Sequence, residues 1–316
     1  ITLAGHLETN MATKDLNGNN GPWAGPRNSG FAGASYIGDF TGSNGVLIDG
    51  GNAGTGRGDQ YVYTTKEAAG KFGSNTCIIN SDGSVEYKRS GFQLDFSMSK
   101  NDINNYVDYL IGTVRSNSEA CFNEPTAFDY SLVKNSGTID IRGKGAGTYY
   151  INFDAGEFAT LKNIYMDSNQ NVILNIPDTS VSFPQMGYII GSLSGSTQGA
   201  ENEDIVAQKI IYNCPNATEA HTTGPTTGTF LVPNADFYND SVAAGWLVAN
   251  KITKVGGQEW HNVYHDMPDP AGLKLGVTKY YVDQNGQAIS WNGKTFTFQI
   301  KQNNGSQYPT QTVVAT

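Results

Sequence analysis

A chain of 316 residues with a net charge of −9, whose 20 Lys and Arg are scattered, has no basic stripe to neutralise phosphates or to dock on anionic lipid. Nucleic acid and membrane surfaces are therefore not expected partners, and no apolar run approaches the roughly 20 residues that span a bilayer. With 38 Gly, 17 Tyr, 14 Phe and a charged share of 16%, the composition suits short strands closed by tight turns, so the expected class is all-β.

The start Ile1-Thr2-Leu3 is no signal peptide, and a secretion signal and anchor are expected outside this sequence. Cys77, Cys121 and Cys214 have neither zinc-site spacing nor the density of a disulfide scaffold, so they read as buried or singly bridged thiols.

Along residues 1–60, turn dipeptides at Asn17-Gly18, Asn44-Gly45 and Asp49-Gly50 separate apolar pieces such as Val46-Leu47-Ile48. This predicts folded short strands rather than a linker. Next, Cys77-Ile78-Ile79 and Val85-Glu86-Tyr87 flank Asn80-Ser81-Asp82-Gly83, which predicts a hairpin.

One flanking helix is expected over about 100–115, where Ser99 and Asp102 form a capping-box start. Ile103, Tyr106, Val107, Leu110 and Val114 supply its apolar stripe, and it should end before Pro125. From Thr138 on, bursts such as Ile139-Asp140-Ile141, Val172-Ile173-Leu174, Val181-Ser182-Phe183 and Ile210-Ile211-Tyr212 predict strand after strand. Periodicity leaves open whether these build a sandwich or a coiled β-solenoid.

Three later stretches carry a family pattern. An apolar strand ends in Asn213-Cys214-Pro215-Asn216-Ala217; Leu231-Val232-Pro233-Asn234-Ala235 follows; then come Gly245-Trp246-Leu247-Val248-Ala249 and Gly257-Gln258-Glu259-Trp260-His261. In that order they resemble the choice-of-anchor A family of bacterial surface proteins, with Gln258 inserted between Gly257 and Glu259. The opening Gly5-His6-Leu7-Glu8-Thr9 is similar to that family's first rung, with Thr9 in place of Gly. The resemblance implies a β-solenoid, like the ice-binding adhesin fold, over residues 1–270, with Asn213, Pro215, Pro233, Ala235, Gly245, Glu259, Trp260 and His261 as structural positions.

Residues 271–316 resemble the first strands of a Gram-positive pilin or Cna-type Ig-like stalk. That likeness makes Lys279 a candidate for an intramolecular isopeptide bond.

Glu259, His261 and His265 would approach a zinc triad on a helix, but Gly256-Gly257 and the aromatic Trp260 and Tyr264 point instead to packing and hydrogen bonding. Asp167, Asn169 and Asn171 mimic a calcium loop, yet Val172 stands where the turn needs Gly, so an Asx-rich hairpin turn is expected. Neither cofactor nor metal is expected. A glycosidase or lyase would need a carboxylate pair, and Asp140, Asp154, Glu157 and Asp167 lie on separate elements. Trp23, within Gly21-Pro22-Trp23-Ala24-Gly25-Pro26, is the candidate ligand contact on a turn-rich segment.

The expected function is that of a non-catalytic cell-surface adhesin ectodomain binding an extracellular-matrix protein, mucin or glycan. A structural stalk or a carbohydrate-active β-helix enzyme is the alternative. Ice binding ranks last, since no regular Thr-x-Thr ladder is visible.

Overall fold

Parallel pairing of short apolar bursts is the organising feature of the fold. The computed structural model describes residues 1–18, 22–24, 34–49, 60–195, 200–261, 295–298 and 311–314. The chain divides into a unit Ile1–Gly272 and a unit Leu273–Thr316.

In the first unit the largest sheet runs from Phe128–Asp129 through Gly147–Asn152, Gln170–Asn175, Ile210–Asn213, Thr226–Asn239, Ala243–Lys254 and Glu259–His261. It then continues through His6–Glu8, Pro22–Ala24 and Leu47–Asp49, and every neighbouring pair along this path is parallel. The first strands of the chain thus stack on the last strand of the body. A second parallel sheet joins Thr2–Leu3, Ala12–Gly18, Ala34–Phe40, Gln60–Thr64 and Phe92–Asp95. A third joins Thr138–Asp140, Asn163–Met166 and Gly187–Ile190 in parallel, with an antiparallel strand at each edge. The all-β expectation holds, and parallel pairing on this scale is not that of an antiparallel sandwich.

Alternation along each strand sends one set of side chains inward. Val172, Leu174, Ile210, Tyr212, Phe230 and Val232 join the main core, where the Tyr212 and Phe230 rings stack at 4.9 Å. The opposite set, Ile173, Ile211 and Leu231, meets Val114 and Cys121 of the long helix Lys100–Phe122. Both faces of these strands are buried, which explains why they read as continuous apolar runs.

Ser99 starts that helix with a full capping box: its hydroxyl accepts from the Asp102 N–H, and the Asp102 carboxylate accepts from the Ser99 N–H. Asp102 is held below its usual range chiefly by the Ser99 hydroxyl. Ser99→Ala is expected to lower stability by about 1 kcal/mol, whereas Ser99→Thr, which keeps a hydroxyl that can both accept from the Asp102 N–H and donate to its carboxylate, stays near wild type in the same urea titration. Lys100 binds Asp39 at 2.6 Å and draws that carboxyl down to about 2, fastening the helix start to the strand Ala34–Phe40.

The helix is longer than expected, running to Phe122 rather than to about 115. It is also not the one helix of the fold: Lys66–Gly70, Tyr130–Val133 and Ala200–Lys209 are helical too. Among the described residues no helix is long and apolar enough to cross a membrane.

The hairpin at Cys77–Ile79 and Val85–Tyr87 forms as expected, turning through Gly83 at φ 83°. All three cysteines are buried thiols, not disulfides. Burial pushes the Cys77 thiol up to about 11, out of the reactive range.

In the second unit, Thr295–Phe298 and Gln311–Val314 pair antiparallel. Lys279, the isopeptide candidate, lies outside the described residues.

Candidate functional site

A strip of four parallel strands presents a regular polar surface. It consists of Ser180–Phe183, Glu219–Thr222, the end of Thr226–Asn239 and the end of Ala243–Lys254. Val181, Phe183, Ala220, Thr222, Phe237 and Asn239 point into the core. The alternate residues face outward in two rows set by register. One is Ser180, Glu219, Asp236, Lys251; the other is Ser182, His221, Tyr238, Lys254.

Neighbouring strands lie about 4.8 Å apart, so rings in register must stack. The His221 and Tyr238 rings do so at 4.6 Å and 6°. Asp240 accepts from the His221 ring at 3.0 Å and from Lys254 at 2.8 Å, and its carboxyl is held below its usual range by His221 first, then Lys254. Lys251 pairs with Asp236 at 3.3 Å. Exposed pairs of this kind add little stability, so their worth lies in holding side chains in place. The next position along the second row is Ser182, and Glu219 Oε1 lies 3.2 Å from His221 Nε2. The sequence pattern marks Val181-Ser182-Phe183 as a strand but neither Glu219–Thr222 nor these rows, because register between distant segments is not written in local pattern.

The anticipated site residues lie elsewhere. Trp23 is fully buried, with its indole N–H donating to the Thr9 carbonyl at 2.6 Å. That corrects the expectation of a solvent-facing ligand contact: the strand Pro22–Ala24 turns it inward between Leu7 and Ile48.

Asp167 uses its carboxylate on the Gly143 N–H at 2.7 Å, and its own N–H donates to Gln170 at 2.7 Å. With Asn169 exposed and Asn171 half-buried, residues 167–170 form a corner. They are not a hairpin turn, because the strands on either side, Asn163–Met166 and Gln170–Asn175, belong to different sheets. Among the described residues no group of three or more His, Cys, Asp or Glu is arranged to hold a metal ion.

The family positions are structural. Asn213 is fully buried and extends a side-chain ladder across three rungs, donating to Asn175 at 2.8 Å as Asn175 donates to Asn152 at 2.8 Å. The same amides donate to the Ser118 and Cys121 carbonyls of the long helix. Asn234, between Pro233 and Ala235, donates to the Pro215 carbonyl and accepts from Arg115, tying two motif segments to that helix. Pro215, Pro233 and Ala235 are buried. Gly245, at φ 120°, lies where a Cβ would come within 1.9 Å of the Gly228 carbonyl oxygen, so no side chain fits.

Trp260 is buried against Phe230 and Phe237, each at 5.8 Å, and its indole donates to the Gly245 carbonyl. Glu259 and His261 sit on a strand, not a helix. His261 bonds Glu203 at 3.1 Å and Glu259 at 3.2 Å, while His265 lies outside the described residues.

No curated protein matches the chain. A family model described as "Putative Ice-binding-like adhesive domain" matches residues 2–262, nearly the whole described body with its strip and its asparagine ladder. The chain belongs to this ice-binding-like adhesive domain family.

Proposed function

We propose that the chain is the ectodomain of a bacterial cell-surface adhesin of the choice-of-anchor A kind, displayed outside the cell. Its body is a β-solenoid, and it binds an extracellular-matrix protein, mucin or glycan without catalysis. Residues 271–316 supply stalk-type strands.

The carrying observation is the outward strip of Ser180, Ser182, Glu219, His221, Asp236, Tyr238, Lys251 and Lys254. It offers hydroxyls, carboxylates, ammonium groups and ring edges in a fixed two-row array, on strands whose opposite face is core. A macromolecule with repeating polar groups meets several of these at once with little ordering cost, because the array is already in place. The coil reading draws support from the parallel ladders, in which each return of the chain adds one strand to a stack.

The test is an array of matrix proteins, mucins and glycans probed with the whole chain, with and without EDTA, beside the double variant His221→Ala/Tyr238→Ala. Saturable binding insensitive to EDTA is expected. The variant should bind at least about tenfold more weakly, since a few central residues carry most interface energy. Undiminished binding by the variant would remove the strip from the reading. A chain that binds nothing on the array would favour the stalk.

A further inference from the structure

Beside the first half of the long helix, the second parallel sheet turns tyrosines outward. Register sets Ala12, Tyr36, Tyr63 and Asp95 in one outer row and Ala34, Tyr61 and Gln93 in the next, while Ile37 and Val62 face the core. Rings on neighbouring strands about 4.8 Å apart must stack. Tyr36 and Tyr63 do so at 4.9 Å and 10°. The helix Lys100–Phe122 leans Tyr106 against Tyr36 at 4.6 Å and 52°. Tyr109 follows three residues later, on the same side of the helix, and is 60% exposed, as Tyr61 is 40% exposed.

The phenol ends lie close to one another. Burial first, then the phenols of Tyr106 and Tyr63, pushes Tyr36 above its ordinary value, and burial first, then Tyr109, does the same to Tyr106. A phenol can both donate and accept a hydrogen bond. No hydrogen bond joins any of these five hydroxyls to a described residue. The rings are therefore positioned by the protein, whereas their hydroxyls are left to be satisfied from outside.

The adjoining charges are already engaged. Asp95, next in register to Tyr63, accepts from the Ser97 N–H at 2.7 Å, and Asp108, beside Tyr109 on the helix, pairs with Lys14 at 2.6 Å. Neither carboxylate is left to select a charged ligand. What the surface offers is uncharged: ring faces and edges that take C–H groups, alternating with hydroxyls that exchange hydrogen bonds. An uncharged sugar polymer carries the matching pattern, with apolar C–H faces bordered by hydroxyls.

We propose that Tyr36, Tyr61, Tyr63, Tyr106 and Tyr109 form a second binding site, separate from the outer strip, that takes a neutral polysaccharide. Because rings on successive rungs are held in place before the ligand arrives, little ordering accompanies binding. The site shares no residue with the strip, so it stands or falls independently of the strip's role.

The experiment is affinity electrophoresis of the whole chain through gels containing hydroxyethyl cellulose, dextran or mannan, with polygalacturonate as the charged comparison. Wild type should be retarded by at least one of the three neutral polymers, and ~0.5 M NaCl in a parallel pull-down should leave that binding unchanged, since no ion pair is formed. Tyr61→Ala/Tyr109→Ala, which removes the two most exposed rings and spares the core, should bind about tenfold more weakly. Tyr61→Phe/Tyr109→Phe, which keeps the rings and loses the hydroxyls, should fall between the two. His221→Ala/Tyr238→Ala should bind these polymers as wild type does. Wild type that passes all three neutral gels without retardation overturns the proposal, as does retardation by polygalacturonate alone. Retardation undiminished in Tyr61→Ala/Tyr109→Ala overturns the assignment to these tyrosines. If that variant instead loses binding to an unglycosylated matrix protein while its polysaccharide binding is intact, the occupant is a protein and the polysaccharide is excluded.

Discussion

Trp23→Ala is expected to cost about 4 kcal/mol of stability, the usual scale for emptying a buried Trp site. The side chain is fully buried in the inward row Trp260, Leu7, Trp23, Ile48, which runs across four successive strands. Removing it opens a cavity between two neighbours that cannot close independently, because their spacing is fixed by backbone pairing. It also strips the Thr9 carbonyl of its indole donor. Urea unfolding followed by far-UV circular dichroism reads the loss. A midpoint within error of wild type would mean that Trp23 is not in the core. At low temperature, where the variant stays folded, ligand binding should be retained, which separates this residue from the outer strip.

Asn213→Ala should lower stability by about 3 kcal/mol, since it deletes one partner of several buried hydrogen bonds and leaves the others desolvated and unpaired. The Ser118 hydroxyl loses its acceptor, the Ser118 carbonyl a donor, and the Asn175 side-chain oxygen its donor. The damage should be shared with the helix, because these bonds are the polar half of its attachment beside Val114 and Cys121. A double-mutant cycle with Ser118→Ala measures that sharing: a coupling of about 1 kcal/mol or more is expected, and strictly additive losses would contradict a joint network.

Much of the fold was legible in the sequence where local chemistry decides it. The capping box at Ser99 and the apolar stripe to Val114 located the helix start, and the Asn80–Gly83 turn located the hairpin. The last two turns of that helix were missed because Ser118 and Cys121 dock partly through hydrogen bonds to asparagines rather than through an apolar stripe. The helix Ala200–Lys209 was missed for a similar reason: it opens on acidic and polar residues, and Ile205, Val206 and Ala207 are its only apolar run.

Trp23 was misjudged because Gly and Pro on both sides signal a turn, although a three-residue strand between turns is enough to face a side chain inward. The motif residues Asn213 and Gly245 were singled out by family likeness. Their physical roles needed the register, which places Asn213 beside Asn175 and Gly245 beside Gly228. The outer strip was invisible for the same reason.

The order of strands in the large sheet also sets a timetable for synthesis. His6 and its partner Glu259 are 253 residues apart, so the edge of His6–Glu8 has no neighbour on that side until almost the entire body has been made. At about 5–20 residues per second, that edge stays open for on the order of tens of seconds. An open edge strand invites pairing with other chains. Folding that waits until both partners of the junction exist keeps that edge covered, whereas folding that starts earlier leaves it open to such pairing.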